Sequence, residues 1–248
     1  MRQRINLHAV VNESSLIRFD SITLTDPSQL SVMPRVTASY QGNNVIMMKF
    51  SSSKESYFAQ FTPEVTLLTE LPECRYISRA IGGTATPDAL FILYEESFPT
   101  TLDVGLSQLR RHHQRLPPEA RICAAFDIVR GLHFLHSHKI AHRHLRPSSI
   151  LFAGLDRRTA GLCKLTDYGA SASSDLDTME ENVPLYIAPE AFDSNSVITQ
   201  DVSSAMKSDM FSFAIIAAEL WNCAQPYNEL NIADPWSLFL PPFISCVK

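Results

Sequence analysis

The chain has 248 residues, which is enough to bury a core as one large domain or as two lobes. Its formal net charge of −5 argues against a broad phosphate-binding surface for nucleic acid. Its five cysteines are scattered singly, so the sequence indicates neither a zinc site nor a disulfide framework. No apolar run is long enough to span a membrane, and we expect a cytoplasmic protein.

The chain up to about residue 96 contains short runs that are typical of β-strands. Two of them flank Gly42 and Asn43, which suit a tight turn, so this stretch predicts a β-hairpin. Apolar residues then recur every three or four positions over residues 54–71, and this spacing predicts an amphipathic helix. Residues 89–94 form an apolar run of strand length.

From about residue 100 the sequence favours helices. Pro118 and Glu119 suit a first helical turn, because proline is tolerated there and an acid suits the helix N-terminus. The predicted apolar stripe of this helix consists of Ile122, Ala125, Phe126, Val129, Leu132, His133, Leu135 and His136. Residues 150–152 and 162–166 predict two short strands, and residues 206–222 a second apolar helix. The pattern predicts an α+β fold with a small β-rich lobe followed by a larger helical lobe.

The most specific pattern in the chain begins at His142 and reads H-R-H-L-R-P-S-S-I-L. It resembles the catalytic loop of eukaryotic protein kinases, H-R-D-L-K-P-x-N-I-L. Asp167 opens a D-Y-G sequence similar to the kinase metal loop, Glu190 closes an A-P-E sequence, and Lys207 opens a segment similar to the central helix. Because these motifs follow one another at kinase spacing, the resemblance implies a two-lobed protein-kinase fold.

The resemblance also implies a domain division and a subgroup. We expect residues 1–27 to be an N-terminal extension, residues 28–96 to form the N-lobe and residues 97–248 to form the C-lobe. Few residues follow Glu190, so we expect a C-lobe that is incomplete after the central helix, or that another chain completes. The D-Y-G variant is similar to the leucine-rich-repeat (Roco) kinases of the tyrosine-kinase-like group.

In the N-lobe, the resemblance implies a set of nucleotide-binding positions. Lys49 ends an I-M-M-K sequence similar to V-A-I-K, and in kinases this lysine contacts the α- and β-phosphates. Glu64 fits the helix glutamate that pairs with it, and Glu70 is a competing choice that lies too far along. The alternative is that Lys49 and Glu64 are unrelated surface charges. The other implied nucleotide-binding positions are Met47, Glu95 and Leu151.

The catalytic positions depart from the kinase pattern. His144 stands where the family has the aspartate that accepts the proton of the substrate hydroxyl. Arg146 replaces the lysine that contacts the transferred phosphate, and Ser149 replaces the asparagine that holds the second magnesium ion. Asp167 keeps the position of the main magnesium ligand. Val183 stands where a threonine hydroxyl normally bonds the catalytic aspartate.

The stretch that corresponds to the kinase glycine-rich loop contains no glycine. Residues 28–35 read S-Q-L-S-V-M-P-R, so backbone amides cannot approach phosphates as closely as a glycine loop allows. Met47 stands where the family has the alanine over the adenine ring, and its longer side chain can fill that space. We therefore expect ATP and Mg²⁺ to bind weakly or not at all.

The positions whose role in the family is packing follow the kinase pattern more closely than the catalytic positions do. The resemblance places His142 and Tyr168 in the hydrophobic spine of the fold together with Leu68. It also implies that Asp209 caps the backbone of the catalytic loop from the central helix.

These observations leave three functions open. The first is a pseudokinase, which acts as a binding or allosteric module toward other proteins, within a larger multidomain assembly. The second is an active but atypical Ser/Thr kinase that uses Lys49, Glu64 and Asp167, with His144 as a substitute base. The third is a truncated kinase-like chain without independent function.

Overall fold

The computed structural model describes residues 15–30, 35–52, 55–98, 100–154, 163–168, 183–191 and 201–228. These residues divide into two compact units. The small unit contains the described residues up to Glu73, together with Arg79–Glu96. The large unit contains Cys74–Ser78 and the described residues from Ser97 onward. The expected incompleteness of the C-lobe concerns the end of the chain and lies outside the described residues.

An antiparallel five-stranded sheet forms most of the small unit, in the order β1-β2-β3-β5-β4. Its strands are β1 (Ile22–Leu24), β2 (Arg35–Tyr40), β3 (Asn43–Ser52), β4 (Ala80–Ala85) and β5 (Ala89–Glu95). Alternate apolar side chains of this sheet form its core: Ile22, Val36, Ala38, Val45, Met47, Ala89, Phe91 and Leu93. β1 lies in the stretch that was expected to be an N-terminal extension.

The predicted hairpin is present, but its turn lies one residue earlier than predicted. The turn residues are Gln41 and Gly42, whose φ angles of 51° and 79° are both positive. Asn43 is not in the turn, because it already pairs with Tyr40 at the start of β3. Two left-handed residues in a two-residue loop match the twist of the strands on either side.

The predicted amphipathic helix is confirmed as α1 (Glu55–Thr69). Its buried side chains, Phe61, Val65 and Leu68, follow the helical spacing of four and three residues. α1 packs closely on β4, because Gly83 has no side chain: a Cβ there would lie 2.7 Å from Phe61 Cζ and 2.8 Å from Val65 Cγ2.

Three helices and a small sheet make up the described part of the large unit. The helices are α2 (Leu102–Arg111), α3 (Pro118–Ser137) and α4 (Val202–Asn222). The sheet consists of β6 (Thr100–Thr101), β7 (Ile150–Phe152) and β8 (Cys163–Leu165), in that order. The two short strands and both long helices match the elements that the sequence predicts. The α+β fold is confirmed, with an antiparallel sheet in one unit and mainly helices in the other.

The predicted apolar stripe of α3 is right for Leu132 and Leu135, which are buried, but wrong for its other half. Ile122 and Phe126 are 58% and 50% exposed, and Val129 and His133 are exposed too. The buried face of the helix consists of Ala124, Asp127, Ile128, Gly131, Leu132 and Leu135. Several apolar residues lie on each side of this helix, so periodicity could not determine which side packs inward. Within the parts of the chain that the structure describes, no helix is both long enough and apolar enough to cross a membrane.

Candidate active site

The catalytic-loop motif lies between α3 and β7. The chain leaves α3 at Ser137 and forms an irregular loop that ends in a 3-10 turn, Pro147–Ser149. β7 follows directly and pairs antiparallel with β8, with Ile150 opposite Leu165. Because of this register, the start of β7 and the end of β8 lie side by side. The sequence pattern H-R-H-L-R-P-S-S-I-L is therefore held in place from both ends.

Asp209 of α4 anchors the backbone of this loop, as expected. Its Oδ2 accepts the His142 N–H at 2.7 Å, and its Oδ1 accepts the Arg143 N–H at 2.8 Å. The Asp209 side chain is buried, and His136 Nε2 also lies 2.8 Å from its Oδ2. The sequence assigned His136 to an apolar stripe, but the imidazole makes this polar contact instead. Arg143 has a φ of 67°, so the carboxylate holds a left-handed turn of the loop.

His144 occupies the acid–base position of the loop and is only partly exposed. Burial, and after it the neighbouring positive charge of Arg146, lower the pKa of its imidazole to about 4. The imidazole is therefore neutral at pH 7, and it is a much weaker base there than a histidine in water. A carboxylate at this position would instead carry a negative charge.

Ser149 closes the 3-10 turn with its hydroxyl group. Its Oγ accepts the Arg146 N–H at 3.0 Å and lies 2.9 Å from the carbonyl oxygens of both His144 and Arg146. The side chain is almost fully buried. Its proton and one lone pair are therefore used inside the loop. Ser149 and Arg146 act on loop geometry in this structure, and their predicted roles toward metal and phosphate stay predictions.

Asp167 directly follows a residue that bonds to the backbone of Ser149, and the metal site that the two would form stays a prediction. The Thr166 N–H donates to the Ser149 carbonyl at 3.0 Å, and Asp167 follows at once. Asp167 is 4% exposed, has a φ of 62°, and accepts a hydrogen bond from Thr166 Oγ1 at 3.1 Å. Carboxylate and hydroxyl oxygens suit Mg²⁺. Among the described residues, no group of three or more histidine, cysteine or acidic side chains could hold a metal ion.

His142 and Tyr168 pack together in the large unit, and both are fully buried. Their ring centroids lie 6.4 Å apart in an edge-on arrangement. The Tyr168 hydroxyl donates to the Ser78 carbonyl at 2.6 Å, a contact that the sequence could not indicate because the acceptor is a backbone atom. The ring nitrogens of His142 have no partner among the described residues, and burial lowers the pKa of this imidazole. Leu68 is buried in the small unit, and its place in a common spine stays a prediction.

A second buried polar group in the large unit was not predicted. Glu219 of α4 is 3% exposed and accepts hydrogen bonds from Arg110 Nη1 at 2.9 Å and from the Tyr186 hydroxyl at 2.6 Å. Burial raises the pKa of Tyr186, and the charge of Glu219 adds to the effect. Glu219 interrupts an apolar run, which was the only signal in the sequence. The network ties the A-P-E region to α2 and α4.

The predicted phosphate-contacting pair lies in the small unit. Lys49 is half-buried on β3 opposite Phe91, and Glu64 is half-buried on α1. Within the described residues, the ion pairs of 4.0 Å or less do not include one between these two side chains. Their pairing stays a prediction. The competing Glu70 lies beyond the end of α1, in the turn that follows.

The remaining nucleotide-binding positions differ in exposure. Met47 is fully buried in the core of the small unit, opposite Val36 of β2 and Leu93 of β5. Glu95 is exposed at the end of β5. Leu151 is buried on β7 in the large unit. Burial of Met47 shows that its side chain fills space inside the sheet.

The connection between β1 and β2 takes the place of a glycine-rich loop. Its described part includes Asp26, which caps a 3-10 turn, Pro27–Gln29. Asp26 Oδ1 accepts hydrogen bonds from the Ser28 N–H at 3.0 Å and from the Ser28 hydroxyl at 2.7 Å. The Ser28 N–H is thus already bonded to a carboxylate, whose negative charge would repel a phosphate.

Comparison with known proteins agrees with this architecture. The family model of the protein kinase domain matches residues 35–237. "Serine/threonine-protein kinase 12" of Arabidopsis thaliana is 30% identical over 206 residues, which are 77% of this chain and 40% of that protein. "Dual specificity mitogen-activated protein kinase kinase mek-1" of Caenorhabditis elegans is 27% identical over 202 residues, 80% of this chain and 50% of that protein.

A third relative is the human "TBC domain-containing protein kinase-like protein", which is 30% identical over 153 residues, 58% of this chain and 16% of that protein. The chain thus spans at most half the length of these three relatives. The family match covers most of the chain and includes the loop that Asp209 anchors, the strand pair that leads to Asp167, and strands β2 to β5 of the sheet that carries Lys49. The chain belongs to the protein kinase family.

Proposed function

We propose that this kinase-family chain is a pseudokinase: a module that binds or regulates other proteins, with phosphate transfer absent or strongly impaired. The observation that carries the proposal is His144, whose imidazole replaces the catalytic carboxylate and has a pKa of about 4. The loop around it keeps its anchor to Asp209. The fold of the loop is retained while its acid–base group is lost.

The chemistry of His144 is unsuited to the proton-transfer step. A general base works best when its pKa lies near the working pH, and a well-placed base contributes about 10²–10⁴-fold to the rate. With a pKa of about 4, the imidazole is neutral at pH 7 and has no greater proton affinity than the aspartate that it replaces. It also lacks the negative charge with which an aspartate orients the acceptor hydroxyl.

The metal-binding positions supply few ligands. Asp167 offers one buried carboxylate, and Ser149 uses its proton and one lone pair within the loop. Mg²⁺ requires near-octahedral oxygen coordination and is held by carboxylates together with the phosphates of the substrate. Asp167 fits such an ion and Ser149 fits it poorly. ATP and Mg²⁺ are the ligands of the kinase family, and we propose that they bind this chain weakly or not at all.

The small unit supports the same proposal. The β1–β2 connection lacks the glycines whose amides contact the phosphates in kinases, and the Asp26 carboxylate lies just before the corresponding stretch. Met47 fills the position that would lie over an adenine ring. Both features reduce the binding of a nucleotide, although Lys49 is kept.

The subgroup and setting of the chain are part of the proposal. The D-Y-G sequence at Asp167 supports membership of the tyrosine-kinase-like group, close to the Roco kinases. The net charge of −5 favours protein partners over nucleic acid. We place the chain in the cytoplasm, as one module of a larger assembly.

A phosphate-transfer assay tests the central proposal. The wild-type chain, incubated with Mg²⁺, ATP and a generic protein substrate, is expected to show no turnover above background. His144→Asp restores the missing carboxylate and is expected to raise any residual rate. His133→Asp is the matched control, because His133 lies on the exposed face of α3. Robust wild-type turnover that Asp167→Ala abolishes would show that the chain is an active, atypical kinase.

A thermal-shift titration tests nucleotide binding separately. Binding of ATP to the folded state raises the melting temperature, and the rise grows with the logarithm of the ratio of ATP concentration to the dissociation constant. We expect a small shift or none at millimolar ATP, with and without Mg²⁺. Asp26→Gly removes the repelling carboxylate and is expected to increase the shift, whereas Asp20→Gly, an exposed acid in the same unit, is not. A large magnesium-dependent shift in the wild type would contradict weak binding.

A further inference from the structure

The outer edge of β4 is occupied by a segment from near the N-terminus, and this contact goes beyond the proposed function. The segment consists of residues 15–17, which we call the strap. Leu16 forms a parallel bridge with Gly83 of β4. The Ile17 N–H donates to the Gly83 carbonyl at 2.8 Å, and the Gly83 N–H donates to the Ser15 carbonyl at 2.9 Å. The strap thus satisfies both backbone groups of Gly83 on the side facing away from β5.

Gly82 makes room for the strap. A Cβ at this position would lie 2.8 Å from Ile17 Cδ1 and 2.9 Å from the Ser15 carbonyl oxygen, so any larger residue would push the strap away. Gly83, the next residue, makes the corresponding room for α1. Gly82 therefore allows the strap to pack closely on β4, and Gly83 allows α1 to do so.

The strap also reaches α1. The Thr69 hydroxyl, in the last turn of α1, donates back to the carbonyls of Val65 and Thr66, at 2.9 and 3.0 Å. Its proton is used there, so the Ser15 hydroxyl, 3.4 Å away, is the donor to Thr69. Ser15 is almost fully buried in this position. One short segment thus contacts both the edge of β4 and the end of α1.

The path of the chain shows that the strap closes the sheet. β4 and β1 lie at opposite edges of the sheet, yet only residues 18–21 separate the strap from β1. In a flat sheet the strap and β1 would be five strand spacings apart, about 24 Å. Five residue steps span at most about 18 Å, and part of this stretch is a 3-10 turn. The sheet must therefore curl, and Ile17 and Phe19 pack against its core.

From these contacts we propose that the strap holds α1 against β4, so that the position of α1 depends on the N-terminal segment of the chain. Displacement of the strap opens the edge of β4 and loosens the last turn of α1. A partner or modification that displaces the N-terminal segment would change the position of α1 without contacting this helix. α1 carries Glu64.

Amide hydrogen exchange on the full chain tests this proposal, with Ile17→Pro as the main variant. Proline at residue 17 removes the N–H that bonds to Gly83. We expect exchange at Gly83 and at residues 66–70 to become about tenfold faster, the equivalent of one lost hydrogen bond. Exchange in the hairpin of β2 and β3 should be unchanged.

Arg18→Pro is the matched control. The φ of Arg18 is −68°, which a proline ring adopts without strain, and the hydrogen bonds of the described residues include none from its N–H. This variant should exchange as the wild type does. An unchanged rate at Gly83 in Ile17→Pro overturns the proposal. So does faster exchange at Gly83 with an unchanged rate at residues 66–70, because the strap would then cover the edge without holding α1.

If Ile17→Pro does not fold, Gly82→Ala provides the second test. Its methyl group displaces the strap and leaves the backbone donors in place. Faster exchange at Ile17 and at residues 66–70 supports the proposal, and wild-type rates at these amides overturn it. Neither variant involves nucleotide or phosphate transfer, so the result is independent of the proposed pseudokinase function.

Discussion

The backbone of the catalytic loop and its acid–base position have very different surroundings, although only a few residues separate them. The backbone is held by the buried Asp209 carboxylate, which accepts N–H groups from two successive residues, and by the Ser149 hydroxyl. The acid–base position holds His144, an imidazole with a lowered pKa. Asp209 and Ser149 stabilise the backbone conformation of this loop, whereas His144 occupies the position that determines its chemistry.

This difference shows that a well-formed catalytic loop does not imply catalysis. The groups that shape the loop bond to backbone atoms, so they are needed for folding whatever reaction the loop performs. The base is needed only for the reaction, and its replacement leaves the anchors intact. The following three changes test this separation, beginning with the anchor of the backbone.

Asp209→Ala is expected to have the largest effect on stability. The change leaves the N–H groups of His142 and Arg143 without their buried acceptor. Loss of a buried, charged hydrogen-bond partner costs about 3–5 kcal/mol of the free energy of unfolding. Urea denaturation measures this loss. Asp201→Ala, at the N-cap of the same helix, is the control and should cost only about 1 kcal/mol. Equal losses in the two variants would contradict the role of Asp209.

The lowered pKa of His144 is expected to make the free energy of unfolding depend on pH. The unfolded imidazole takes up a proton below pH 6.5, whereas the folded one stays neutral until about pH 4. Because the unfolded state binds more protons in this window, the free energy of unfolding falls as the pH is lowered from 6.5 to 4. His144→Gln should reduce this fall by on the order of 1–3 kcal/mol.

Denaturation curves at several pH values between these limits measure the effect of His144. His133→Gln is the matched control, because that side chain lies on the exposed face of α3. A pH dependence that is the same in His144→Gln and in the wild type would show that the folded protein does not disfavour the charged imidazole.

Ser149→Ala is expected to have the smallest effect of the three. It removes the acceptor of the Arg146 N–H and the donor to the loop carbonyls, at a cost of about 1–2 kcal/mol. Ser137→Ala, an exposed serine near the end of α3, is the control. Ser149→Asn supplies the residue that kinases have here, and it should keep stability while leaving phosphate transfer at background. A gain of activity in Ser149→Asn alone would mean that the missing metal ligand, not His144, limits the reaction.

Much of this fold was predictable because its signals are local. The helical spacing of residues 54–71 indicated α1, and Pro118 with Glu119 indicated the start of α3. The order of the motifs at His142 and Asp167 indicated the kinase fold and the anchor at Asp209. These inferences depend on neighbouring residues or on a family pattern, and neither needs knowledge of three-dimensional packing.

Features that depend on distant residues were missed or wrong. The inward face of α3 was predicted only for Leu132 and Leu135, because both sides of the helix carry apolar residues and only packing selects one. The contact of Tyr168 with Ser78 joins a side chain to a backbone oxygen 90 residues away, which leaves no mark in the pattern. The strap was also missed, since its partner, Gly83, has no side chain to signal the contact.

The sequence by itself determined the family of this protein, its longer helices and several of its strands, and the residue at each catalytic position, because these follow from residue identity and spacing. Tertiary structure alone decided the low pKa of His144, the engagement of the Ser149 hydroxyl within the loop and the closure of the small sheet by residues 15–17. The physical reason is that desolvation, hydrogen-bond saturation and strand pairing depend on which atoms surround a group, and distant parts of the chain supply those atoms.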